Sequence, residues 1–363
     1  MRGVRTRSLP TALSGAWRPW LAVHAVVATS LLLALVVDGG SFEVEGYVPD
    51  GRGLFVWDGA WYRAISRDGY DGAGPDAIRF FPLLPLAGRL VSGLGVTVDV
   101  GLCLVVSLCS LAYLTAISAL AATLLPGRDP GRRVAWVAAL LPGASVLALP
   151  YSEALAGLFT CVFFLALQRR VPTAAGVLAG VLAGLARPTG VVLAGAAALR
   201  ALREGSRGRA ALLAGAPVVG TGLFLAWSGL RSGEPLAPYA TQGGDDLRGG
   251  VLVNPLPGVL SNGPGGIGAP VTVALMLLGV VLLVEVYRRL PLEYGAWSTV
   301  MLLLAVGSTD ALSLPRYLAG TVPMLLVVPG LLRSDRAWRV FLVLAPLLSV
   351  ALTTSWVAVG IVP

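Results

Sequence analysis

The sequence predicts an all-α, polytopic transmembrane protein with about eleven membrane-crossing helices. Three observations predict it. Charged residues make up 13% of the chain and apolar residues 56%, where a soluble domain carries roughly 25% charge. Mean hydropathy is +0.80. Apolar runs recur along the whole length, many reaching the roughly 17–25 residues a spanning helix needs. Residues 1–363 are therefore read as a single integral membrane domain, because too few polar side chains remain to cover a soluble core.

The runs fall at residues 19–37, 98–125, 134–149, 154–167, 173–186, 190–202, 210–230, 270–287, 294–307, 317–332 and 338–359. Arg2, Arg5, Arg7 and Arg18 lead into the first. Asp38-Gly39-Gly40 behind it is no small-x-small cleavage site, so this run reads as a retained helix and not as a signal peptide. Arginine sets the orientation. The chain has no Lys, and a cytoplasmic N-terminus puts eighteen of its 27 arginines on the cytoplasmic side, as the positive-inside rule requires. The clusters are Arg128, Arg132 and Arg133; Arg169 and Arg170; Arg200, Arg203, Arg207 and Arg209; Arg288 and Arg289; and Arg333, Arg336 and Arg339. Short clusters between apolar runs carry topology, so the net charge of +8 does not mark a nucleic-acid partner. Glu285 and Glu293, near the same side, are expected to pair with Arg288 or Arg289. The Lys-free usage looks like the coding bias of a GC-rich bacterium.

Acidic residues concentrate on the other face. The first extracytoplasmic loop, 38–96, holds Glu43, Glu45, Asp50, Asp58, Asp68, Asp71 and Asp76, and the second long one, 231–269, holds Glu234, Asp245 and Asp246. Loops of this length in a compact chain are often functional. Cys103, Cys109 and Cys161 lie inside apolar runs and read as small packing residues. His24 is the sole histidine and lies in the first run, so no His, Cys and carboxylate set points to a metal. No phosphate-binding loop, dinucleotide fingerprint or nucleophile elbow is present, and no cofactor is expected.

The richest stretch runs from Val56 to Tyr70. Trp57, Trp61 and Ile65 recur every fourth residue, which on a helix makes one apolar stripe, with Asp58 and Tyr62 on its flank. A short amphipathic helix bearing Trp and Tyr suits the membrane–water boundary. It would hold Asp58 at headgroup depth. The prolines of Phe80-Phe81-Pro82-Leu83-Leu84-Pro85 exclude a regular spanning helix there, and a second interfacial helix is expected through Leu94. A carboxylate at that depth could serve as general base for an acceptor hydroxyl; the alternative is a helix cap bonded to backbone N–H groups.

Four ordered blocks carry a family resemblance. They are Trp57-Asp58 with Tyr62, Ile65 and Gly69-Tyr70, running on to Phe80-Phe81-Pro82-Leu83-Leu84-Pro85; Pro142, Ser145 and Tyr151-Ser152-Glu153-Ala154; Gly184-Leu185-Ala186-Arg187-Pro188-Thr189-Gly190; and Ser313-Leu314-Pro315-Arg316-Tyr317-Leu318. Together they resemble the PIG-V-type mannosyltransferases, relatives of the second mannosyltransferase of GPI-anchor assembly within the GT-C superfamily, and a bacterial, actinobacterial-type member in particular. Eukaryotic members usually carry Asn-Gly after the arginine where this chain has Pro188-Thr189-Gly190, so acceptor identity does not transfer. The resemblance implies a GT-C fold and an inverting transfer of mannose from a polyprenyl-phosphate-mannose donor to a glycan or glycolipid acceptor. It also implies chemistry on the extracytoplasmic face of the cell membrane, with Asp58 as the base.

The remaining polar residues in apolar context are candidate substrate contacts. Arg187 and Arg316 fall at outer helix ends beside Pro188 and Pro315, and intramembrane charge is costly enough to be functional by default. Guanidinium forks match phosphate oxygens; snorkelling to lipid headgroups is the other reading. Arg79 is a third such cation. Glu153 could contact sugar hydroxyls, pair with an arginine, or simply favour a helix N-terminus. Tyr62 and Tyr317 could border the sugar, and for Tyr317 packing at the interface is the competing reading. A lipid or sugar-lipid transporter is the rival class, but the halves of the chain show no inverted symmetry; a GT-C enzyme using another polyprenyl-phosphate sugar is the other alternative.

Overall fold

A computed structural model describes residues 9–37, 53–127, 129–204, 207–243, 254, 269–307 and 313–358. Arg2, Arg5, Arg7, Glu43, Glu45, Asp50, Arg128, Asp245 and Asp246 lie outside them. The regular secondary structure of the described residues is entirely α- and 3₁₀-helix, and the helices pack on one another as a bundle. Each predicted apolar run holds helix. Among the described residues five helices are long and apolar enough to cross a membrane on their own: α1 (Leu9–Val37), α4 (Val98–Leu124), α9 (Arg207–Ser232), α11 (Ala269–Arg289) and α15 (Asp335–Ala358), the short α10 (Ala237–Gln242) lying between α9 and α11. At 1.5 Å per residue, α4 extends about 40 Å, against a hydrocarbon core of about 30 Å.

The other runs are shorter or broken, and proline explains the breaks. α5 (Pro130–Leu140) gives way to a 3₁₀ turn at Ala144–Leu147, and α6 (Glu153–Leu167) follows. α7 (Thr173–Ala186) stops one residue before Arg187-Pro188, and a 3₁₀ turn, Pro188–Val192, leads into α8 (Leu193–Glu204). A residue before proline is pushed out of the helical region; Arg187 accordingly adopts φ −153°, ψ 152°. α12 (Leu292–Val306) is followed by the short α13 (Leu314–Gly320) and α14 (Val322–Val327), separated at Thr321 ahead of Pro323.

The stretch between α1 and α4 supplies two helices, each shorter than a membrane-spanning helix. α2 (Asp58–Ala73) is kinked at Gly69 (φ 74°), and α3 (Leu83–Ser92) has only ten residues. The expected stripe on α2 exists but faces protein. Trp61 and Ile65 are buried together with Tyr62, while Arg67 and Asp68, next to the Gly69 kink, are exposed. It is α3 that turns leucines outward, at Leu86 and Leu90, with Leu94 exposed just beyond its end.

Small residues let the central helices close. α7 packs on both α6 and α9, and a Cβ on Gly184 would lie 2.4 Å from the Pro217 carbonyl oxygen. Close backbone approach of this kind is how helices associate without a hydrophobic drive between them. Helix ends sort into two sets. At one end the starts of α2, α6 and α13 meet the end of α7 through Asp58, Glu153, Arg316 and Arg187. At the other, the end of α8 meets the start of α12, and the start of α5 meets the start of α15.

One expected pairing is corrected. Glu285 does pair with Arg288 and Arg289, but Glu293 does not. It is fully buried and binds Arg200 at 2.8 Å and Arg203 at 3.6 Å, because the end of α8 packs on the face of α12 that Glu293 occupies, while Tyr287 of α11 meets Gly295 and Thr299. His24 bonds Ser107 across 3.1 Å and stacks near Trp20, a packing role.

Candidate active site

Asp58 owes its position to an unusual start of α2. The preceding residue, Trp57, has φ 52° and ψ −122°, a conformation that costs a non-glycine residue about 1–3 kcal/mol. Two contacts hold it there: the Trp57 indole donates to the Trp356 carbonyl at 3.2 Å, and the Tyr151 hydroxyl donates to the Val56 carbonyl at 3.1 Å. The carboxylate that emerges caps no helix. It accepts a hydrogen bond from Arg316 Nη1, 2.7 Å from Oδ2.

Arg316 stands near the start of α13, where Pro315 is tolerated because a first-turn residue needs no N–H. Gly143 makes room for it. With φ 97° and no side chain, Gly143 lies where a Cβ would sit 2.5 Å from the Pro315 carbonyl oxygen. From this seat Arg316 also brings Nε to 3.4 Å from Glu153 Oε1, and its guanidinium lies 5.8 Å from the centre of the Tyr151 ring. Glu153, the first residue of α6 and only 7% exposed, is ion-paired with Arg187 as well.

Burial works against the charge of Arg316, but Asp58 and Glu153 outweigh it and raise its pKa. For Arg187 burial is likewise opposed, chiefly by Glu153, and its pKa is also raised. Both guanidiniums are permanent cations. They border, with Glu153 and Tyr317, an open cavity of about 550 Å³, the open space at its edge included, whose remaining wall is largely apolar and includes Gly157, Leu193, Trp297 and Met301. Asp58 is not on that wall; Arg316 stands between it and the cavity.

Of the residues singled out in the sequence, Asp58, Glu153, Arg187, Arg316 and Tyr317 converge here. Tyr62 supports the cluster one step behind: its hydroxyl donates to Ser152 Oγ at 2.8 Å, and Arg187 Nη1 lies 3.4 Å from the same oxygen. Burial raises the Tyr62 pKa, so it remains a donor. Arg79 is not on the cavity wall. It is buried with its guanidinium 5.1 Å from the Trp61 ring and 5.0 Å from Phe80, whose ring meets Tyr62 edge-on. Ser152 and Tyr151 were not among the sequence candidates. Their adjacency to Glu153 was the available signal, but nothing in the sequence joins Ser152 to Tyr62, ninety positions away. Among the described residues no group of His, Cys, Asp and Glu converges as for a metal ion.

The site is thus a cluster of paired charges in a cleft at one end of a helical membrane bundle. Comparison with solved structures agrees on the fold. ArnT from Cupriavidus metallidurans, crystallised with undecaprenyl phosphate, superposes with a TM-score of 0.51 at 20% identity, over 87% of this chain and 61% of that one. The oligosaccharyltransferase of Archaeoglobus fulgidus in its apo form gives 0.43 at 14% identity, over 91% and 56%. The chain thus spans about three-fifths of the length of these proteins. No curated protein matches it. The chain belongs to the PIG-V mannosyltransferase family, whose model, described as Mannosyltransferase (PIG-V), matches residues 5–204.

Proposed function

We propose that this membrane mannosyltransferase moves mannose from a polyprenyl-phosphate-mannose donor to an extracytoplasmic glycan or glycolipid, with inversion at the anomeric carbon. The observation that carries this reading is the pair of permanent cations, Arg187 and Arg316, on a cavity that they line with Glu153 and Tyr317 and whose remaining wall is largely apolar. A lipid phosphate needs just that combination, a guanidinium clamp for the phosphate and apolar surface for the prenyl chain. The undecaprenyl phosphate bound by ArnT supports a ligand of the same chemistry.

Asp58 is the proposed base. It takes the proton from the acceptor hydroxyl as that oxygen attacks the anomeric carbon. The carbon–oxygen bond to phosphate breaks, and polyprenyl phosphate leaves with the electron pair. Charge builds on the leaving phosphate, where preorganised cations act most strongly. Tyr317 and Glu153 border the sugar, and Tyr62 keeps Ser152 and Arg187 in place. Because Arg316 separates Asp58 from the cavity, the acceptor approaches from the α2 side and the donor from the side of α6, α8 and α12. The sorting of helix ends, with Glu293, Arg200, Arg203, Arg133 and Asp335 opposite the cavity, supports an arginine-rich cytoplasmic end and an extracytoplasmic active site.

The test is transfer by the purified full chain in lipid nanodiscs with polyprenyl-phosphate-mannose. Asp58→Asn is expected to lower the rate by about 10²–10⁴-fold while donor binding persists, and the product anomer is expected to be inverted. Full activity of that variant would remove Asp58 from the mechanism. Translocation of intact donor with no bond cleavage would instead favour a transporter.

A further inference from the structure

Among the described residues lining the cavity, Glu153 is the sole carboxylate. Its surroundings are unusual for a structural ion pair. Neither of its oxygens accepts an aligned hydrogen bond, and the buried Arg316 Nε–H donates none, although Arg187 and Arg316 both stand beside the carboxylate. The contacts are therefore Coulombic and not directional. A tetrahedral phosphate could make the aligned bonds that Glu153 leaves unmade.

Formal charge adds a second argument. Arg187 and Arg316 are matched by Asp58 and Glu153, so the ligand-free cluster is neutral. A sugar phosphodiester would bring one negative charge. The phosphomonoester left after transfer carries roughly −1.5 to −2. Two arginines opposed by Asp58 alone would hold that product more tightly than the donor, and the enzyme would stall on it.

We propose that Glu153 is a stand-in for the lipid phosphate, a positioning residue that holds the two guanidiniums convergent in the empty site and repels the departing polyprenyl phosphate. This rests on reading the cavity as the donor-phosphate site. Repulsion by a fixed carboxylate acts more on the dianionic product than on the monoanionic donor. Glu153 thus favours release over retention.

The experiment measures binding of a short-chain polyprenyl phosphate, and of its methyl phosphodiester, to the full chain in nanodiscs. Glu153→Gln is expected to bind the monoester about tenfold more tightly than wild type, with kcat and the donor KM falling together. Glu153→Asp, which keeps the charge, should remain near wild type. Unchanged or weaker monoester binding by Glu153→Gln overturns the proposal. A wild-type protein that binds the monoester more than about tenfold tighter than the diester overturns it too, with no need for a variant that folds. Absence of any binding of either lipid by wild type removes the donor-site reading beneath it.

Discussion

Arg316 holds Asp58 from 258 positions along the chain, with Nη1 2.7 Å from Oδ2. The contact joins the start of α2 to the start of α13, and through Nε the same guanidinium reaches Glu153. One side chain thereby positions both carboxylates.

Replacing Arg316 tests that dependence. Arg316→Gln leaves two partly or fully buried carboxylates short of a cation, and breaking a buried pair from one side costs about 3 kcal/mol or more. Thermal unfolding in detergent should fall by several degrees, and donor binding should weaken. Arg316→Lys restores charge without the fork and is expected to recover stability better than transfer.

The backbone at Trp57 gives a contrast between two variants. Trp57→Ala loses the bond to the Trp356 carbonyl and keeps the unfavourable φ. Trp57→Gly loses the same bond but adopts φ 52° freely. The glycine variant should be the more stable of the two by about 1 kcal/mol, measured by denaturation under matched conditions. The reverse order would mean that the local conformation is not strained.

At Gly143 the expected effect is indirect. Gly143→Ala places a Cβ against the Pro315 carbonyl and puts a side chain on a residue with φ 97°. The start of α13 must shift, carrying Arg316 with it. Transfer should drop by about tenfold or more, since displacements near 1 Å can cost a hundredfold.

Tyr62→Phe removes a single hydroxyl from the support of Ser152. About 1 kcal/mol is expected from one such bond, seen as a few-fold loss of rate with the fold intact.

Glu293→Ala serves as the opposite-end control. It leaves Arg200 and Arg203 without their shared acid, so stability should fall. Polyprenyl phosphate affinity at the cavity should not change. If it did, the two ends of the bundle would be coupled.

Much of this was legible in the sequence, for local reasons. Apolar runs announce helices because a buried backbone must satisfy itself, and Pro188 announces the break that frees Arg187. The periodicity of Trp57, Trp61 and Ile65 located a helix, but not what its stripe faces. That depends on Phe80 and the core packing against it. Glu293 shows the same limit: Arg288 and Arg289 are its near neighbours in sequence, yet Arg200 is its partner in space. The roles of Ser152 and Gly143 were invisible, since each is defined by a contact with a distant segment.

The long separation of Asp58 from Arg316 has a consequence for biosynthesis. Helices enter the membrane in order from the N-terminus. Glu153 and Arg187 meet as soon as α6 and α7 are in place, within the family-matched stretch that ends at residue 204. Asp58 waits for its partner until α13 is made. A chain that ends before α13 thus carries the Glu153–Arg187 pair without the bond that holds the Asp58 carboxylate, so the charge cluster closes only with one of the last helices made.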